Sequence, residues 1–111
     1  MDTLTHYRQI IRDLLFEYGS YKPSYGEIET EVLIDQTENH FQLVRVGWLN
    51  GSRVHGVILH FDLINNKIWI QRNGTDRQIA DELMEAGVPK EDIVLAFQPE
   101  KLRQYSGFAI S

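Results

Sequence analysis

A chain of 111 residues, 42% hydrophobic and 24% charged, has the size and composition of one compact globular domain, able to bury roughly 65% of the surface its unfolded form exposes. It contains no cysteine, which excludes disulfides and thiolate metal centres. Its net charge of -5 counts against unaided nucleic-acid binding, which usually needs clustered Lys and Arg to replace phosphate counterions.

The chain opens with helical periodicity: Leu4, Tyr7, Ile11, Leu14, Leu15 and Tyr18 share one stripe, and Gly19 is a natural left-handed stop. A connection punctuated by Tyr, Gly and Pro follows, "GSYKPSYGE"; within "YGSYKPSY", Tyr18, Tyr21 and Tyr25 have the amphipathic composition of contact surfaces, and packing over the sheet accounts for them equally well. Four β-like runs come next, Ile28 to Asp35, Phe41 to Leu49, Val54 to Leu63 and Lys67 to Arg72. Their separators, Thr37-Glu38-Asn39, Asn50-Gly51-Ser52 and Asn65-Asn66, are short and tolerate positive φ, so the runs should form an antiparallel meander. From Asp76 to Ala86 the pattern is helical again, with Ile79, Leu83 and Ala86 on one stripe. The apolar run from Ile93 to Phe97 reads as a strand buried on both faces. The C-terminal "PEKLRQYSGFAIS" offers a helical turn at most, with Phe108-Ala109-Ile110 docking back on the body. The expected fold is therefore α+β, a single domain over residues 1–111. No apolar run approaches the ~20 residues of a membrane span, and the N-terminus lacks the pattern of a signal peptide. A soluble, cytoplasmic protein is expected.

Three places could carry chemistry. The first is the strand-to-helix corner, Arg72, Gly74, Thr75, Asp76 and Arg77. Helix starts attract anions, and the two arginines could clamp a phosphate. Thr75 and Gln78, however, form a capping-box pattern, and Asp76 already supplies a carboxylate to the helix dipole. A capped turn is the simpler reading. The second is the row Glu27, Glu29 and Glu31, which alternates with Ile28, Thr30 and Val32 and so lies on one face of the first strand. It belongs to a run of five acids, closed by Asp35 and Glu38, with no base among them. Such a row is either a solvated edge or a docking surface for a basic partner. The third is His60 with Asp62 on one strand face; none of His6, His40, His55 and His60 shows metal-ligand spacing. Trp48 and Trp69, on strands that the meander could make neighbours, read as core or interface bulk.

Along nearly its whole length the chain resembles the XisI family, through "HYRQII", "YGSYKPSYGEIETEVLID", "FQLVRVGW", "RVHGVILHFDL", "KIWIQRNGTD", "ELMEAGVPKEDIVLAF" and "YSGFAIS". The most specific blocks are Gly74-Thr75-Asp76 and Gly87 to Ile93. Members are named as controlling factors for excision of the fdxN DNA element in cyanobacteria. The resemblance implies a small regulatory factor acting beside a recombinase and an XisH-like, nuclease-like protein, and it brings no catalytic residues.

The residues themselves assemble no nucleophile-base pair, no paired catalytic carboxylates and no metal set. A non-enzymatic protein-binding regulator without cofactor, oligomeric and gripping its partner through Glu27, Glu29, Glu31, Tyr21 and Tyr25, is the leading reading. A direct DNA binder would need oligomerisation to gather Arg72, Arg77, Lys101 and Arg103 into one basic stripe. An enzyme or ligand-binding protein would centre on His60, Asp62 and the Gly74–Arg77 corner.

Overall fold

The computed structural model describes residues 2–20 and 27–111. Its element order is α1 (Thr3–Gly19), β1 (Glu27–Ile34), β2 (His40–Leu49), β3 (Ser52–Ile64), β4 (Lys67–Asn73), α2 (Ile79–Glu85), a 3-10 turn (Lys90–Asp92), β5 (Ile93–Leu95) and α3 (Glu100–Arg103). The strands form one five-stranded sheet in the order β1-β2-β3-β4-β5. The first four are antiparallel neighbours, and β5 joins β4 in parallel after the α2 crossover. This is a compact α+β domain, with the meander and both principal helices where the sequence patterns put them. Among the described residues no helix is long and apolar enough to cross a membrane.

Helix α1 starts on Asp2, whose carboxylate accepts the Leu4 N–H at 3.2 Å; an Asp at this position satisfies an amide that has no partner within the helix. Its stripe of Tyr7, Ile11, Leu14 and Leu15 is buried. That stripe packs with Phe41 and Leu43 of β2, Leu59, Phe61 and Leu63 of β3, Ile68 and Ile70 of β4, and Ile79 and Leu83 of α2 into one core cluster. Two tyrosines tie α1 to its neighbours: the Tyr18 hydroxyl donates to Glu82 of α2 at 2.8 Å, and the Tyr7 hydroxyl to Asp92 of the 3-10 turn. Burial and the Asp92 carboxylate push the Tyr7 phenol up to about 12.

Gly19 does not stop α1 in the left-handed conformation expected. The helix ends through Ser20 in right-handed geometry, and what Gly19 supplies is closeness. The Thr30 hydroxyl of β1 donates to its carbonyl at 2.7 Å, and a Cβ there would stand 3.5 Å from Val32. The hairpin turns do use positive φ, at Glu38, Asn50, Gly51, Asn65 and Asn66, where Asn and Gly cost least.

Beyond shifts of a residue or two at strand ends, three features differ from expectation. Helix α2 begins at Ile79 rather than Asp76. Strand β5 ends at Leu95, two residues short of the expected Phe97, which is 52% exposed. Trp48 and Trp69 are not on neighbouring strands, because β3 runs between β2 and β4. The C-terminal end docks back as anticipated: Phe108 packs on the core, and Ala109 makes a parallel bridge with Val94.

Candidate functional site

With α1 and α2 on one face of the sheet, the opposite face of β1, β2 and β3 is left outward. Thr30 faces α1, so its odd-numbered neighbours Glu27, Glu29, Glu31 and Leu33 point away from the core, and all are exposed. The register carries this face across the strands. Glu27 pairs with Trp48 and Trp48 with Arg53; Glu29 with Val46 and Val46 with His55; Glu31 with Val44 and Val44 with Val57. Three stripes result: acidic on β1, apolar on β2, and Arg53 and His55 on β3. Trp48 is 50% exposed, and the Arg53 guanidinium lies 5.3 Å from its ring centroid. Among the described residues none of the three glutamates has an ion-pair partner. Like charges two residues apart on one strand face repel, so this row is a standing source of negative potential at the sheet edge. The other acids of the run are engaged. The Thr37 hydroxyl, helped by the amides of His40, Asn39 and Thr37, donates to Asp35 and holds its carboxyl far below the usual range, and Glu38 pairs with Arg12 at 3.1 Å. Tyr21 and Tyr25, expected to flank the row, lie outside the described residues.

Further along the same face is a second cluster, of which His60 and Asp62 were legible in the sequence. Asp62 is only 8% exposed, the one buried charged residue described. Its Oδ1 is within 2.8 Å of His40 Nδ1 and 2.9 Å of His60 Nε2, and its Oδ2 accepts from Gln71 at 3.2 Å. His40 arrives because it is the cross-strand partner of Asp62 on β2. Gln71 arrives through a register shift between β3 and β4 at His60/Phe61. The hydrogen bond to Asp62 raises the His40 imidazole above its ordinary value. A carboxylate that orients an exposed imidazole is the arrangement a general base uses. No hydrogen bond joins a serine, threonine or lysine side chain to either imidazole among the described residues. Nor is any group of three or more His, Asp or Glu there arranged to hold a metal ion. An open depression of about 330 Å³, lined by Leu33, Ile34, Asp35, His40 and Gln42, adjoins the cluster.

The strand-to-helix corner is organised by a residue that the sequence reading passed over, Asn73. Its Oδ1 accepts from the Thr75 amide at 3.0 Å and the Thr75 hydroxyl at 2.6 Å, and its Nδ2 donates to the Arg77 carbonyl at 2.9 Å. Thr75 is therefore not the helix cap. Its hydroxyl is engaged locally and accepts the Arg77 amide at 3.2 Å, while α2 starts three residues later than expected, at Ile79, with Gln78 before it and no side-chain cap. Gly74 matters for its size, since a Cβ would stand 3.0 Å from the Ile58 carbonyl. The two arginines do not converge. Arg72 donates back to the Val57 carbonyl of β3 at 2.8 Å, whereas Arg77 lies 5.3 Å from the Tyr18 ring centroid and reaches Glu82. Asp76 is exposed. Nor does the chain gather Arg72, Arg77, Lys101 and Arg103 on its own: Arg103 sits over the Trp69 ring and donates to the Gln98 carbonyl.

A family profile described as XisI protein matches residues 1–110. Among solved structures, an XisI-like protein from Anabaena variabilis ATCC 29413 is 39% identical with a TM-score of 0.89, over 97% of this chain and 99% of that one. A second structure, of the fdxN element excision controlling factor XisI from the same organism, is 33% identical with a TM-score of 0.84, over 99% of this chain and 100% of that one. A comparison with curated protein sequences finds no match.

Proposed function

Since the chain belongs to the XisI family, we propose that it is a regulatory factor for excision of a DNA element, acting by binding a protein and not by catalysis. The partner is a basic surface on an XisH-like, nuclease-like protein or on a recombinase. The observation that carries this reading is the row Glu27, Glu29 and Glu31, exposed on an edge strand and without cationic partners among the described residues. Unneutralised charge on a surface costs the monomer self-repulsion, and a basic partner relieves it while speeding encounter. The adjoining Trp48 supplies the aromatic area that stable interfaces favour. Direct DNA binding fits poorly with a face whose open edge is acidic, because that edge would repel the phosphates.

The test is capture of the purified XisH-like protein, or of the recombinase, by wild type and by a variant with Glu27, Glu29 and Glu31 changed to Lys. Association slower by at least about tenfold, with a flatter salt dependence, is the expected result. Capture undiminished by the triple change removes the acidic row from the mechanism.

A further inference from the structure

We infer that the outward face of β1, β2 and β3 is self-complementary and that its occupant, in the absence of another protein, is a second copy of this chain. Register and charge carry this pairing independently of any basic partner. Two identical sheets packed face to face are related by a two-fold axis lying in the interface. If that axis ran across the strands, β1 would cover β1 and three glutamates would face three glutamates. If it runs along β2, β1 of one copy covers β3 of the other, and position along the strands is kept. Residues that share a register line then meet. Glu27 comes over Arg53, Glu29 over His55 and Glu31 over Val57, while Val46 and Trp48 meet their own counterparts on the axis beside Val44, which is already buried at 8% exposure. Sheets pack ~10 Å apart, a gap that a glutamate and an arginine span together, and β1 and β3 lie only ~4.8 Å from the axis, so sheet twist displaces these pairs little.

Among the described residues, the C-terminal segment covers the outward face at β4 and β5, where Trp69 lies beneath Arg103 and Val94 is buried. It lies beyond the partner's β1 edge and does not obstruct the overlap. Eight paired positions at ~3.3 Å and three strands at ~4.8 Å give a patch of only about 26 by 14 Å, so a dimer in the micromolar range is expected, below the size of permanent interfaces. The same carboxylates cannot serve a second copy and a basic partner together, so the two compete.

Sedimentation equilibrium over a range of concentration and salt tests this. Wild type should dimerise and dissociate as salt rises. Arg53→Glu should weaken dimerisation by about tenfold or more, and Glu27→Arg combined with Arg53→Glu should restore it to within about threefold of wild type. Circular dichroism checks that each variant, altered only at exposed positions, keeps its fold. A wild type that stays monomeric at about 100 µM overturns the inference. So does a dimer indifferent to Arg53→Glu, which would indicate pairing through the β1 edge instead, or one that the charge exchange fails to rescue. Capture of the partner by Arg53→Glu, whose acidic row is intact, reports separately on the proposed function.

Discussion

Gly47 holds the acidic end of β1 against β2, and replacing it with Ala should be the most damaging single-methyl change in the sheet. A Cβ at that position would stand 2.0 Å from the Glu27 carbonyl oxygen, 2.7 Å from Ile28 Cα and 2.9 Å from the Glu27 carbonyl carbon. All three are backbone atoms of the paired strand, so no rotamer change clears the space. The strands must part by more than an ångström, which ladder hydrogen bonds do not survive. Losing two such bonds at about 1 kcal/mol each costs about 2 kcal/mol. With an unfolding entropy of about 2.1 cal/mol/K per residue, a chain of this length should melt about 9 °C lower. Gly56, on β3 opposite Arg45, is the internal control, because nothing lies within 4 Å of a Cβ there; Gly56→Ala should be neutral or slightly stabilising. Thermal unfolding followed by circular dichroism reads the global cost, and hydrogen exchange at the β1 and β2 amides reads any local fraying. If Gly47→Ala melts within about 2 °C of wild type and keeps its exchange protection, the packing argument is wrong.

Asn73→Ala should lower stability by about 2 kcal/mol through three lost hydrogen bonds, whereas Thr75→Ala should cost no more than about 1 kcal/mol, both measured by urea unfolding; equal effects would restore Thr75 as the keystone. The His40 imidazole is raised by its bond to Asp62, so its contribution to stability is fully present below the unfolded value of about 6.5 and disappears as pH rises through the folded value. The stability gap between wild type and His40→Gln should accordingly be wider near pH 5.5 than near pH 8.5, and a gap that is flat or widens with pH contradicts the assigned contact.

How much of this was legible in the sequence depends on how local the signal was. The alternation of Glu27, Glu29 and Glu31 with Ile28, Thr30 and Val32 fixed the faces of β1 because a strand's side-chain period is two, whatever surrounds it. That β1 is an edge followed from the meander. The Asp62 cluster was half visible: His60 is two residues away on the same strand, but His40 and Gln71 are supplied by cross-strand register. Shifts between Leu43 and Val44, and between His60 and Phe61, make that register unreadable from spacing. The corner misled for a different reason. Thr75 and Gln78 match a capping box, yet Asn73 competes for the same hydroxyl from two residues upstream, and side chains of this type engage nearby backbone readily. The parallel seat of β5 was not encoded in any local pattern, only in the length of the connection that carries α2 over the sheet.

That connection and the bridge beyond it have a bearing on how far copies of this chain can accumulate. At one margin of the sheet, Ala109 donates its amide to the Ile93 carbonyl at 2.9 Å and lies alongside Val94, so the chain's own tail occupies the rim of the last strand. At the other margin β1 has a neighbour on one side only. Counting rims alone and leaving the face contact aside, a single vacant rim has a valency of one: two molecules joined rim to rim leave no rim for a third, whereas a sheet vacant at both rims could add members without end. The last few residues thus close one rim, and shortening the protein before Ala109 should leave the sheet vacant at both, so that any rim-to-rim pairing would no longer stop at two.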